Sequence, residues 1–154
     1  MTGDARILVL MATYNGQAHL AEQLDSIFDQ EGVEVTLRVS DDCSTDNTFR
    51  ILETYAAEHE NLEIIYNTAH KGKTRTLMKL VYEAPVEEYD FIALANQDDV
   101  WHPGKLAAGT DHISANTSRP ELYYAGTNCI DERGRLLGDE FEEYDVCASH
   151  PGSL

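Results

Sequence analysis

Ile7-Leu8-Val9-Leu10-Met11-Ala12, followed at once by Thr13-Tyr14-Asn15-Gly16, sets the reading of the whole chain. An unbroken apolar run with branched side chains and no polar alternation marks a strand covered on both faces, the habit of parallel sheets. Outward from it the period changes. Leu20, Leu24, Ile27 and Phe28 recur at helical spacing, and Gly32 stops that helix. Val35, Leu37 and Val39 alternate with Thr36, Arg38 and Ser40 in a second strand ending at Asp41-Asp42. Ser44, Thr45 and Asp46 offer cap oxygens to a helix carrying Phe49, Leu52 and Ala56. Residues 62–66 form a third strand, followed by a basic loop and a helix with Leu77, Leu80, Val81 and Ala84 that Pro85 closes. Residues 91–95 read as a fourth buried strand ending at Asn96-Gln97-Asp98-Asp99, and a helix is expected from near Pro103 to about Ser114. Residues 121–126 are a fifth strand candidate, and 131–134 a turn.

Alternating strands and helices imply an open, mostly parallel α/β sheet with helices on both faces. In such sheets a ligand sits outside the carboxyl ends of the strands. Thr13-Tyr14-Asn15, Asp41-Asp42 and Asp98-Asp99 all fall at those ends, and the loop 70–75 and Trp101 are expected at the same edge.

The 154 residues suit one domain of roughly 150. A formal net charge of −17 excludes a nucleic-acid binder and docking on an anionic membrane by charge alone. Hydrophobic residues at 42% exclude a disordered acidic chain. Cys43, Cys129 and Cys147 are odd in number and widely spaced, so they read as reduced thiols in a cytoplasmic protein. The apolar run at 7–12 is too short for a signal sequence core or a transmembrane span. Residues 1–137 are expected to form the folded domain and 138–154 an acidic, weakly ordered stretch.

Two constellations carry chemistry. Adjacent carboxylates at a strand end, such as Asp98-Asp99, want a cation or several hydrogen-bond donors, and a hard divalent ion with phosphate oxygens fits them. Taken alone, a solvated turn or a helix cap is the commoner explanation. Asp41-Asp42 shares that ambiguity, and either acid there is placed to accept a base N–H or a ribose hydroxyl, with Tyr14 stacking on the ring. Residues 67–74 end in Gly-Lys-Thr, but a phosphate loop needs glycine at 67, where the chain has Asn, which tells against a phosphohydrolase of that type. Lys71, Lys73 and Arg75 are a charge complement to a diphosphate or simply a solvated surface. The six histidines show no ligand spacing.

Met11-Ala-Thr-Tyr-Asn-Gly16, Glu22-Gln-Leu-Asp-Ser-Ile27 with Gln30, Asp41-Asp-Cys-Ser-Thr-Asp-Asn-Thr48 and Gln97-Asp-Asp-Val-Trp101 together resemble the family 2 glycosyltransferases, most of all a rhamnosyltransferase-like branch. The resemblance implies a GT-A fold, truncated at its C-terminus. It also implies a UDP- or dTDP-linked sugar donor, a saccharide or lipid-linked acceptor, and inverting transfer assisted by Mg²⁺ or Mn²⁺ in cell-surface polysaccharide synthesis. By that likeness Ala12, Thr13, Tyr14, Asp42, Arg75 and Asp98 bind the nucleotide sugar and Asp99 holds the metal. Tyr14 stacks on the base, and Asp42 accepts its imide N–H. The general base has no counterpart among Glu140, Glu142, Glu143 and Asp145, and an uncatalytic donor-binding remnant is the alternative. Cys43 stands where the family has glycine, so the turn after Asp42 must tolerate a side chain or carry strain. An apolar face left uncovered beyond residue 137 would favour a homodimer.

Overall fold

The computed structural model describes residues 4–113, 121–131 and 133–137. The chain divides into two compact units, Met1–Leu122 and Tyr123–Leu154. The first holds a four-stranded, wholly parallel sheet of order β3-β2-β1-β4, with β1 Ala5–Thr13, β2 Val33–Asp41, β3 Leu62–Tyr66 and β4 Phe91–Ala95. The helices between them are α1 Leu20–Phe28, α2 Thr48–Glu58 and α3 Lys73–Tyr82, and α4 Lys105–His112 follows β4.

Every residue from Ile7 to Thr13 is buried, as a strand at the centre of two layers must be. Its side chains alternate between two cores. Ile7, Val9 and Met11 meet Leu20, Leu24 and Ile27 of α1, Leu52 of α2 and Leu106 of α4, while Leu8 and Leu10 meet Leu80 of α3. Helices therefore lie on both faces, unequally. Full burial of each such leucine stabilises the fold by about 2 kcal/mol, so the larger cluster dominates the domain's stability.

Several expectations need correction. The fourth strand has the expected bounds but is buried on one face only. Phe91, Ala93 and Ala95 join the larger core, whereas Ile92 and Leu94 are exposed, because β4 is an edge strand and α3 covers β1 rather than its neighbour. The buried face of α2 is Thr48 and Leu52, flanked by Ile51 and Tyr55; Phe49 and Ala56 are exposed, and Phe49 rests on Tyr66 instead. Pro103 precedes α4 in a turn, with Gly104 at the cap. Residues 121–126 are not a strand of the sheet, and Leu122 is exposed: the segment straddles the boundary between the two units. In the second unit the turn at 131–134 does close, with the Gly134 N–H on the Asp131 carbonyl and an isolated bridge between Ile130 and Leu136. Ser114, the acids at 140, 142, 143 and 145, and the whole stretch 138–154 lie outside the described residues.

Candidate functional site

The strand order places the site. The chain moves from β1 to β2 to β3 in one direction and returns to β4 on the other side of β1, so the ends of β1 and β4 flank a switch point where α/β sheets take ligands. Gln97, just past β4, bridges it: its Oε1 accepts the Tyr14 N–H at 2.9 Å and its Nε2 donates to the Tyr14 carbonyl at 3.1 Å. Gly16 makes that clamp possible, since a Cβ there would lie 2.6 Å from Gln97 Oε1. The cleft beside the clamp has a volume of about 220 Å³ and is lined by Ala12, Thr13, Tyr14, Lys73 and Gln97. Lys73 Nζ donates to Asn96 Oδ1 at 2.9 Å, and Asn96 Nδ2 donates to Asp99 Oδ2 at 3.1 Å. A basic group in the cleft is thus joined to the acid pair through one amide.

The loops after β1 and β2 are laced together. Ser44 Oγ accepts the Asn15 N–H, Thr48 Oγ1 that of Gly16 and Asp46 that of Gln17, while Asn15 Oδ1 accepts the Thr45 N–H. Asp46 also receives the N–H of Thr48 as α2 begins. Burial would raise its pKa, but bonds from Thr48 and Gln17 outweigh that and hold it below the ordinary aspartate value. Asn15 and Cys43 both adopt left-handed backbone, φ +48° and +66°. Asn tolerates this; Cys does not, and the strain expected of a side chain at position 43 is present, at about 1 kcal/mol. The thiol donates to the Asn67 carbonyl at 3.0 Å.

Asp41 and Asp42 are buried and fully engaged. Asp41 accepts the Thr13 hydroxyl and both the N–H and the hydroxyl of Ser44. Asp42 accepts the N–H groups of Lys71 and Gly72, at 2.7 Å in the shorter case, and the amide of Asn67, and it lies 2.9 Å from His70 Nδ1. Desolvation would raise the Asp42 pKa, but the Lys71 and Gly72 amides, the Thr76 hydroxyl and the His70 ring together pull it below the usual range. The amides a phosphate loop would turn to its ligand are therefore given to Asp42.

Of the residues expected to bind a ligand, Ala12, Thr13 and Tyr14 line the cleft. Asp42 lies behind the loop 67–72, Asp99 joins the cleft through Asn96 and Lys73, and Asp98 and Arg75 are exposed outside its lining. Trp101 is buried in the larger core, with Lys105 Nζ 4.2 Å above its ring, rather than at the sheet edge. Burial pushes the Lys105 pKa down, and the Asp99 charge partly restores it. Gln30, part of a quoted motif, is a strut: it bonds the Ser26 and His102 carbonyls and the Leu106 N–H. Lys73 has the diphosphate-facing role weighed for the basic loop, whereas Gln97, Asn96 and His70, though placed at this edge by the strand ends and the loop 70–75, have no individual role in the sequence reading.

For a metal, Asp98 and Asp99 are hard oxygen donors at the open sheet edge. Among the described residues no cluster of three or more His, Cys, Asp or Glu side chains comes together. The residues fit an ion held by one or two carboxylates, with water and phosphate completing its shell, as Mg²⁺ and Mn²⁺ accept.

A switch-point cleft with a lysine in its lining and an acid pair beyond it is the place where open α/β domains take their ligands. The model of the glycosyl transferase family 2 matches residues 8–119, and the chain belongs to that family. It is 34% identical over 110 residues to dTDP-rhamnosyl transferase RfbG of Shigella flexneri, a match covering 70% of this chain and 38% of that protein. Among solved structures it resembles S. aureus TarS 1-349 in complex with UDP, at 27% identity and TM-score 0.60, covering 69% of this chain and 31% of that one. It also resembles the mannosyltransferase PcManGT of Pyrobaculum calidifontis in complex with GDP-Man and Mn²⁺, at 25% identity and TM-score 0.61, covering 71% and 32%. The chain thus spans less than two fifths of each. No helix among the described residues is long and apolar enough to cross a membrane.

Proposed function

We propose that the switch-point cleft binds a UDP- or dTDP-linked sugar, and that the chain serves inverting, metal-dependent transfer of that sugar to a hydroxyl of a saccharide or lipid-linked acceptor in cell-surface polysaccharide synthesis. The observation that carries this reading is the run of contacts from Lys73 in the cleft through Asn96 to Asp99. It joins a cation suited to a diphosphate with a carboxylate suited to a metal. Ala12 and Thr13 form the floor, the Tyr14 ring takes the base, and Lys73 with Arg75 faces the diphosphate. Asp98 meets the ribose or diphosphate, and Asp99, with Asp98 beside it, holds Mg²⁺ or Mn²⁺. The bound ion supplies Lewis-acid neutralisation of the departing diphosphate. The likeness to proteins whose names carry dTDP, UDP and a Mn²⁺ complex supports the donor and metal classes.

Calorimetric titration with UDP and dTDP, with and without Mn²⁺, tests the reading: binding should depend on the metal and be lost in Asp99→Asn. Failure of both nucleotides to bind in a metal-dependent way would overturn it. No general base is assigned, so donor binding without transfer is the second reading; donor hydrolysis or transfer by this chain would exclude it. A reducing, cytoplasmic setting suits the free thiols of Cys43 and Cys129. Ile92 and Leu94, 37% and 55% exposed, motivate a homodimer, which light scattering checks.

A further inference from the structure

His70 sits in the loop between β3 and α3, and its imidazole makes a distinctive set of contacts. Its ring centroid lies 4.3 Å from that of Tyr14, tilted by 39°. Its Nδ1 is 2.9 Å from Asp42 Oδ2 and 3.2 Å from the Asp42 carbonyl oxygen. The Asp42 side chain is 1% exposed, whereas that of His70 is 53% exposed. A planar heteroaromatic ring therefore lies against the aromatic ring at the cleft, with a ring nitrogen on a buried carboxylate.

We infer that His70, lying on both Tyr14 and Asp42, competes with a nucleobase for these two groups, so that base binding is an exchange of imidazole for base. The inference rests on the proposed donor reading and adds to it a residue that sets how tightly the base is held. The other partners of Asp42 are loop amides from Lys71 and Gly72, the hydroxyl of buried Thr76, and the Asn67 side chain, which is itself bonded toward Ser40 and Thr76. Those amides belong to the backbone and keep their places when a side chain turns. His70 alone among these groups is a half-exposed side chain that leaves by rotating about its own torsions. Tyr14 stays behind, because Gln97 holds its backbone from both sides.

The exchange selects its entrant by chemistry. Once His70 leaves, Asp42 Oδ2 keeps its bonds from the Lys71 and Gly72 N–H groups and has room for one further donor on the side the imidazole occupied. Uracil and thymine carry an N3–H between two carbonyls and restore that bond while stacking on Tyr14. Cytosine carries a lone pair at N3, which faces the carboxylate without a proton between them. A site built to receive a donor rejects an analogue that lacks it far more strongly than a merely apolar pocket would. Self-occupancy also weakens every base equally, since affinity falls by the fraction of chains whose site is open.

The test compares wild type with His70→Ala and His70→Asn, using UDP and CDP with Mn²⁺ in calorimetric titrations. His70→Ala removes the occupant, so UDP should bind about tenfold more tightly, with CDP still the weaker ligand. His70→Asn keeps a donor for Asp42 without the aromatic ring, and its UDP affinity should fall between the two. Unchanged or weaker UDP binding by His70→Ala, with wild type binding normally, would overturn the exchange and leave the donor reading standing. A metal-free measurement tests the vacancy directly: free imidazole should shift the Tyr14 ring resonances of His70→Ala but not of wild type, and uridine should compete with it. No imidazole response in a folded His70→Ala would also overturn the inference. Absence of UDP binding in every variant, with imidazole still bound competitively with uridine, would instead strike the donor reading alone.

Discussion

The chain carries the same dipeptide near two strand ends, Asp41-Asp42 at the close of β2 and Asp98-Asp99 after β4, and the two pairs live in opposite conditions. The β2 pair is buried and met on all sides by protein donors, from Thr13 and Ser44 on one acid and from Lys71, Gly72, Asn67 and His70 on the other. The β4 pair has Asp98 exposed and Asp99 half-buried, with Asn96 as the hydrogen-bond donor to Asp99. Position in the sheet explains the contrast. β2 lies between β3 and β1, so loops from both sides close over its end; β4 stands at the edge of the described sheet and has a neighbouring strand on one side only. One pair organises the protein, and the other is the pair proposed to hold an ion.

The largest effect should come from neutralising each pair in turn. Asp42→Asn turns an amide NH₂ toward backbone N–H groups and should destabilise the domain by about 3 kcal/mol in urea titrations. Asp99→Asn should leave stability within about 0.5 kcal/mol while abolishing Mn²⁺-dependent nucleotide binding. Equal losses of stability would break the contrast.

The same difference should read out in pH. Because the folded state holds the Asp42 pKa below its ordinary 3.8, its contribution is present above that value and is lost as pH falls through the folded one. The stability gap between wild type and Asp42→Asn should therefore be constant from pH 7 to about 5 and shrink below about 4. A gap that widens on acidification would reverse the assignment. A smaller effect is expected at Gly16, where Ala puts its Cβ 2.6 Å from Gln97 Oε1 and should cost about 1–2 kcal/mol. In a Gln97→Ala background the penalty should vanish, and its persistence would show that the link from β1 to the β4 pair is not what Gly16 protects. The smallest change is Cys43→Gly, which relieves φ +66° beside Asp42 at the loss of one thiol bond and should raise stability by about 0.5 kcal/mol. Cys43→Ala keeps the strain, loses the bond, and should lower it; thermal melts separate the two.

Much of this fold is legible in one dimension because the apolar runs are. Residues 7–12, 62–66 and 91–95 announce strands through local composition, and the bounds of β3 and β4 agree with the reading. What composition does not encode is who lies beside whom. The exposure of Ile92 and Leu94 follows from β4 standing at the edge of the described sheet, and the place of 121–126 outside that sheet from a unit boundary that falls within it. The site divides the same way. Tyr14 and Thr13 are readable from a strand end, but Gln97 acts on Tyr14 across 83 positions, and His70 reaches Asp42 across 28. Such roles become visible only once strand order is known, and strand order leaves no periodic trace. The turn after Asp42 is an intermediate case: Cys43 in place of glycine signals strain in the sequence, and the backbone bears it.

The Gln97 clamp also bears on how the domain assembles. β1, β2 and β3 join through successive strand-helix-strand units of modest loop length, whereas β4 must return past them to dock on the far side of β1. Contacts of such long sequence separation carry the greater loop-closure entropy and form late in folding. The cleft is thus completed only when the last strand arrives: a chain short of β4 ties Thr13, Asn15 and Gly16 to the loop after β2 but lacks the amide that grips the Tyr14 backbone from both sides.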